Sequence, residues 1–241
     1  MKIIGIIGYK KSGKTTLTLR LSDELNRRGI KVAVIKHIDK DLDLANSDTS
    51  KYKETLTQVG AVTPKELVFF LRDKKKLEEI IKYFKADIVL IEGFKKEKTF
   101  PKIVCLREES EKVGLFDGLQ LCTASFVSKE TKEKFCDFNI LNDKDIKKIA
   151  EIAINKSFKL PNLNCGECGY QNCYNLAQEI VKGNKTSDDC PSLKPSILVK
   201  VNGQTISMNS FIAKITKNTI SGLLSSLKGF GRGDIEIKIK Q

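Results

Sequence analysis

Lys2-Ile3-Ile4-Gly5-Ile6-Ile7 runs directly into Gly8-Tyr9-Lys10-Lys11-Ser12-Gly13-Lys14-Thr15, and Thr16 to Arg28 continues with helical periodicity. The order is a buried β-branched strand, a loop matching G-x4-G-K-[ST], then an amphipathic helix. Glycines let successive backbone N–H groups point into one concavity. The helix adds its positive N-terminal end, the Lys14 ammonium reaches the outer phosphates, and Thr15 ligates Mg2+. Strands alternating with helices to about Asn155 then predict a three-layer α/β domain of the P-loop NTPase kind. Its sheet is mostly parallel, with nucleotide bound at the carboxyl ends of the strands.

Working outward, Gly29 is a helix stop and Lys31 to Ile35 a second strand, ending on Lys36 and on His37, the sole histidine. A lone histidine is usually structural, but this one falls where doubly wound sheets gather ligand contacts, so a functional role is as well supported as a structural one. The acidic, aperiodic segment Asp39 to Asp48 reads either as a solvated loop or as a source of metal or base ligands. Further on, Asp87 to Ile91 is an apolar strand running into Glu92-Gly93-Phe94. A carboxylate at the end of a buried strand, paired with an upstream phosphate loop, is the Walker B arrangement, so Glu92 is expected to hold Mg2+. Lys14 and Glu92 are the expected catalytic residues. Asn142-Asp143-Lys144-Asp145 has the wrong order for a guanine-specificity motif and fits an N-cap for a helix over Lys144 to Asn155.

Composition narrows the classes. The chain has 241 residues with net charge +13 and seven cysteines. Its basic residues are scattered in short runs without interleaved aromatics, which argues against a specific nucleic-acid surface. No apolar run approaches the roughly 18 residues of a membrane span, and the N-terminus enters a strand without a signal-peptide layout. The expected location is the cytoplasm, with no membrane association. An odd number of cysteines in such a setting favours reduced thiols and metal over disulfides.

Four of these cysteines, Cys165, Cys168, Cys173 and Cys190, form C-x2-C-x4-C-x16-C, with glycines after the first two and proline after the last. That spacing suits thiolates wrapped around a [4Fe-4S] cluster. A tetrahedral zinc is the alternative, although zinc ribbons usually pair two short knuckles and the second half here has none. Cys105, Cys122 and Cys136 read as small buried hydrophobes. A helix over Tyr174 to Lys182, stopped by Gly183, links the third ligand to the fourth. Beyond Pro195, strands at Ile197 to Val201 and Thr205 to Met208 around Asn202-Gly203, a helix from about Asn209 to Leu227 and a strand over Asp234 to Lys240 predict a small ββαβ unit. The expected division is 1–156 for the nucleotide domain, 157–195 for the cluster module and 196–241 for the last unit.

Taken together, G-Y-K-K-S-G-K-T-T-L, V-I-K-H after the second strand, Leu42-Asp43, Ser47-Asp48-Thr49, Gly60-Ala61, I-V-L-I-E-G-F-K and K-I-V-C-L-R resemble MobB over about residues 1–155. MobB is the adapter family of molybdopterin-guanine dinucleotide biosynthesis. The resemblance implies GTP binding, weak GTP hydrolysis, and assistance to the guanylyltransferase that joins molybdopterin to GMP. It carries phosphate binding onto Gly8, Tyr9, Lys10, Lys11, Ser12, Gly13, Lys14, Thr15 and Thr16, and metal or loop roles onto His37, Asp43, Asp48 and Glu92. Relatives often have further histidines near His37-Ile38-Asp39-Lys40, which this chain lacks. The cysteine segment resembles a second family, the small four-cysteine iron-sulfur domain found beside corrinoid proteins and in electron-transfer complexes. The expected cofactors are therefore GTP, Mg2+ and [4Fe-4S]. The expected partners are the guanylyltransferase, molybdopterin or molybdoenzyme machinery and a redox partner, and the expected assembly is a homodimer. The alternative function is a redox-coupled ATPase driving electron, metal or cluster transfer; carrier ATPases of the deviant Walker type place lysine after the first loop glycine, where this chain has Tyr9.

Overall fold

The structure is a computed structural model describing residues 2–38, 48–72, 75–126, 135–194, 196–231 and 233–237. It divides into two compact units, 1–159 and 160–241. In chain order the first unit contains β1 (Lys2–Gly8), α1 (Lys14–Arg27), β2 (Val32–Lys36), α2 (Asp48–Thr55), β3 (Gln58–Val62), β4 (Leu67–Leu71), α3 (Leu77–Ile80), β5 (Ile88–Glu92), β6 (Lys102–Cys105), α4 (Lys112–Leu115), β7 (Gln120–Ser125), β8 (Phe138–Asn139) and α5 (Asp143–Lys156). The second contains α6 (Cys173–Lys182), β9 (Lys200–Val201), β10 (Gln204–Thr205) and α7 (Ser210–Ser225).

Six strands form one sheet in the order β2-β5-β1-β6-β7-β8, and every neighbouring pair is parallel. A parallel sheet is covered on both faces, which is why β1 and β5 read as continuous apolar runs. Alternate side chains serve opposite layers. Ile4, Ile6, Ile88 and Leu90 pack with Leu17, Leu21 and Leu25 of α1 and Ile146, Ile149, Ala150 and Ala153 of α5. Ile3, Val89 and Ile91 pack on the other side with Ile35, Leu77, Ile81 and Phe100. Each fully buried Ile or Leu contributes about 1.5–3 kcal/mol relative to exposure, so β1 and β5 form the energetic centre of the unit.

Helix ends follow the expected signals. At the end of α1, Gly29 (φ 77°) and Ile30 donate to the carbonyls of Asn26 and Leu25. Asn142 Oδ1 accepts from Lys144 N at 2.9 Å, confirming the cap on α5. Outside the main sheet, β3 and β4 form an antiparallel ribbon, with Gln58 opposite Leu71. In the second unit, Asn202 and Gly203 both take positive φ, as a tight hairpin turn between β9 and β10 requires. The expected last strand is not found among the described residues: Asp234 to Ile237 lie outside any strand, and the rest of that segment is outside the described residues. A strand needs a paired neighbour, and among the described residues β9 and β10 pair only with each other.

Candidate functional site

Strand register collects the site. Both Ile6 and Lys36 lie beside Glu92, and Gly8 lies beside Cys105. The carboxyl ends of β1, β2, β5 and β6 therefore meet at the phosphate loop. Gly13 takes φ 89° as the residue capping α1, and a Cβ there would fall 2.6 Å from Phe126 and 2.8 Å from Ile140. Lys11 is also left-handed at φ 63°, a conformation that is strained for a side-chain-bearing residue. A Cβ on Gly8 would strike Ser12 Oγ and the Cys105 carbonyl, so only glycine permits this backbone approach.

Four side chains set the chemistry. Lys14 Nζ donates to the Tyr9 carbonyl at 2.6 Å, folding the ammonium back over the loop. Thr15 Oγ1 donates to Glu92 Oε1 at 3.0 Å, and Lys36 Nζ lies 3.3 Å from the same oxygen. Glu92 itself is nearly buried. A hydroxyl and a carboxylate at hydrogen-bond distance, beside a loop of N–H donors, are the hard oxygen ligands that Mg2+ takes together with phosphates. Ser12 Oγ is buried without a hydrogen-bond partner among the described residues, a polar group left unsatisfied within the loop. A cavity of about 220 Å3 is lined by Lys11, Ser12, Gly13, Lys14, Thr15, Thr16 and Phe126. The residues thus fit a nucleotide phosphate chain with Mg2+.

His37 lies beside this centre rather than in it. Its backbone N–H donates to the Glu92 carbonyl at 2.9 Å, and its exposed ring packs on Phe94 with centroids 4.6 Å apart. Asp43 lies outside the described residues; Asp48 opens α2, but its side chain is not among those described. Sequence reasoning missed Lys36, Phe126 and the surroundings of Tyr9. Lys95 Nζ sits 4.1 Å from the Tyr9 ring centroid and the Arg107 guanidinium 6.0 Å away. Arg107 is held by buried Glu111, with Nε 2.5 Å from Oε1. Nearby, Lys102 is fully buried and paired with Asp117 at 2.5 Å. Burial pushes the Cys105 and Cys122 thiols up to about 12, which leaves both as inert packing groups.

The cysteine loop occupies the second unit. Gly166 and Gly169 take positive φ (75° and 84°), and Gly169 N donates to Gly166 O at 2.9 Å, closing a tight turn between Cys165 and Cys168. Cys173 opens α6, whose cap Asn172 accepts from Asn175 N at 3.0 Å. Asn164 Oδ1 accepts from Cys173 N at 2.9 Å. Burial raises the Cys190 thiol, and Cys173 and Cys168 are near enough to raise it further. Cys165 Sγ lies 3.6 Å from both Glu167 Oε2 and Ser192 Oγ. Glu167 in turn accepts from the N–H groups of Ser210 (2.7 Å) and Phe211 (3.0 Å), tying the cysteine loop to the start of α7. Among the described residues, no group of three or more His, Cys, Asp or Glu is gathered for a single metal ion.

Comparison with known proteins agrees with this reading. Residues 160–192 match a family described as "Putative Fe-S cluster". A protein of Methanocaldococcus jannaschii named "Putative molybdopterin-guanine dinucleotide biosynthesis adapter protein" is 36% identical over 240 residues, covering 95% of this chain and 93% of its own length. The "Molybdopterin-guanine dinucleotide biosynthesis adapter protein" of Haemophilus influenzae is 36% identical over 146 residues, which are 57% of this chain and 82% of that protein. The crystal structure of Bacillus subtilis MobB shares the fold, with TM-score 0.52 at 19% identity over 63% of this chain and 97% of that one. Residues 3–125 match the family described as molybdopterin guanine dinucleotide synthesis protein B, and with the near full-length relative this shows that the chain belongs to the MobB family.

Proposed function

We propose that the chain is a GTP-binding adapter in molybdenum or tungsten cofactor guanylation that also carries a [4Fe-4S] cluster. The observation that carries the nucleotide part is the Thr15–Glu92–Lys36 contact at the mouth of the phosphate loop. Gly8 to Thr16 would hold the phosphates, Lys14 would neutralise the outer ones, and Thr15 with Glu92 would hold Mg2+. Glu92, balanced by Lys36 in the structure, would supply the negative charge for Mg2+ bound there. Guanine preference rests on family membership.

Turnover is expected to be slow. Arg107, whose guanidinium lies near the Tyr9 ring, is bound to Glu111, so its charge is already matched by a carboxylate. Such a protein acts by presenting nucleotide to a guanylyltransferase and to molybdopterin or molybdoenzyme machinery, as a cytoplasmic homodimer. For the cluster, the donor set is four cysteines with two buried (Cys173 and Cys190), glycine turns beside the first two and a helix N-terminus at the third. Bound there, the cluster supplies one-electron redox capacity or a structural staple. Within 160–241, a cluster module ending near 195 and a separate unit from 196 complete the proposal.

Calorimetric titration with GTP and with ATP, each with Mg2+, tests the reading. Tighter binding of GTP is expected. Preference for ATP would replace the adapter with the redox-coupled ATPase, and absence of binding to either would end the nucleotide assignment.

A further inference from the structure

The phosphate loop leaves β1 in the middle of the sheet, and the groups that flank it fall on opposite sides. Glu92, which meets the Thr15 hydroxyl, ends β5, and Lys36 ends β2 beyond it. Phe126 follows β7 on the other side, where the order runs β1-β6-β7. It is the aromatic member of the lining of the loop cavity, together with Lys11 to Thr16. One edge of its ring is seated on Gly13: a Cβ there would lie 2.6 Å from Phe126 Cε2 and 3.1 Å from Cδ2. The rest of the side chain is open, with Phe126 43% exposed. The backbone before it is anchored. Ser125 is buried, pairs in parallel with Asn139, and its carbonyl accepts from the Ile140 N–H at 2.9 Å. The cavity, about 220 Å3, is smaller than the roughly 300–1,000 Å3 of a pocket that encloses a whole small ligand, so it suits phosphates and leaves a nucleoside at its rim.

We propose that Phe126 is the base platform of the nucleotide site, its exposed ring stacking on the purine of a bound nucleotide. The proposal rests on the nucleotide reading above. Mg2+ bridges the outer phosphates of a nucleoside triphosphate, so those phosphates belong on the Glu92 side of the loop and the nucleoside on the side away from it. Phe126 is the open apolar surface that the cavity lining offers there. A ring held along one edge and fixed at its backbone is preorganised, so stacking costs little ordering. Every purine presents a π-face, and the stack therefore adds affinity without choosing guanine over adenine. Gly13 then serves twice: its left-handed backbone shapes the loop, and its missing side chain admits the ring.

The experiment is calorimetry with GTP, ATP and inorganic tripolyphosphate, each with Mg2+, on the full chain and on Phe126→Leu and Phe126→Tyr. Leucine keeps an apolar contact on Gly13 but has no aromatic face. Phe126→Leu should weaken GTP and ATP by similar factors, about 5- to 150-fold as for loss of one base stack, and leave tripolyphosphate within about 2-fold. Phe126→Tyr should bind all three as the unaltered chain does. The chain has no tryptophan, so Phe126→Trp introduces a single indole whose fluorescence should be quenched by GTP and not by tripolyphosphate. A loss that extends equally to tripolyphosphate, no loss for either nucleotide, or an indole indifferent to GTP would overturn the proposal while leaving the phosphate loop in place. Failure of the unaltered chain to bind any of the three would instead remove the reading on which it rests, and the proposal with it.

Discussion

Thr15 at the start of α1 donates its hydroxyl hydrogen to Glu92 at the end of β5, 3.0 Å away across 77 residues of chain. The contact exists because β1 and β5 are adjacent and in register, Ile6 beside Glu92, so that the strand before the phosphate loop and the strand carrying the acid end at the same level. Replacing either partner should remove one hard oxygen from the metal position. Thr15→Ala, Glu92→Gln and Lys14→Ala are each expected to weaken GTP·Mg2+ by about 10- to 100-fold, from charge-assisted contacts of roughly 1.5–3 kcal/mol. The three differ in their metal dependence. With Mg2+ removed, Thr15→Ala and Glu92→Gln should approach the unaltered chain in affinity, whereas Lys14→Ala should remain weaker. Calorimetry with and without EDTA separates the two cases, and unchanged affinity in all three would rule out this site.

Gly13 is a conformational requirement as well as a space requirement. Its φ of 89° costs about 1–2 kcal/mol for a residue with a Cβ, and that Cβ would overlap Phe126 and Ile140, the latter fully buried. Gly13→Ala should therefore lower stability by about 2–4 kcal/mol in urea unfolding and displace the first turn of α1. Gly29→Ala, at φ 77° but with nothing within 4 Å of its Cβ, should cost only the conformational part, about 1 kcal/mol. Equal effects at the two positions would contradict this division.

How much could be read beforehand follows from the range of the interactions involved. The strand, loop and helix from Lys2 to Arg27 were legible because the continuous apolar run, the glycine turn and the amphipathic period are all local chemistry. The same holds for Asn142 and for Asn202-Gly203. Strand order was not legible in that way: β1 lies between β5 and β6 through contacts about a hundred residues apart. The β3–β4 ribbon went unseen because its strands expose apolar side chains such as Val62 and Phe69, contrary to a buried strand pattern. Lys102 is the clearest case. One lysine among many, it reads as surface, yet Asp117, 15 residues on, makes its complete burial possible. His37 drew attention as the only histidine, but its backbone, through Glu92, is what reaches the site.

The Lys102–Asp117 pair carries its own prediction. Burial pushes the Lys102 ammonium below its ordinary value, and the Asp117 hydrogen bond only partly offsets this. Burial raises the Asp117 carboxyl, but hydrogen bonds from Lys102 and Lys98 outweigh it and hold the group below its ordinary value. An acid with a depressed folded value stabilises the protein above its unfolded value of about 3.9 and loses that contribution as pH falls through the folded value. Asp117→Asn should thus be destabilising by about 3–5 kcal/mol near pH 7, since it leaves a buried charge unpaired. The gap to the unaltered protein should narrow below about pH 3.9. For the base the sign reverses: the buried ammonium is a penalty that lifts as pH rises toward about 10.4, so the unaltered protein should gain on Lys102→Met under alkaline conditions. Urea unfolding across pH 3–10 measures both slopes, and a gap that is flat across that range would show that the pair is not ionised as described.

The final prediction concerns the cysteine loop. Anaerobically prepared protein should be brown and hold about four irons and four sulfides per chain if Cys165, Cys168, Cys173 and Cys190 carry a cubane. Zinc would leave it colourless. Serine at any one of the four should bleach the visible absorption. Cys105→Ser and Cys122→Ser should leave the colour intact, because those thiols are pushed to about 12 by burial and lie in the other unit. Absorption that survives all four ligand changes would remove the cluster assignment. Where colour is present, its reduction potential with and without saturating GTP decides the cluster's role. By linkage, a shift in potential on GTP binding requires an equal free-energy shift in GTP affinity on reduction, and each can be measured independently. A potential indifferent to GTP would make the cluster a staple for the fold of 160–241, and would leave the phosphate loop assignment as it stands.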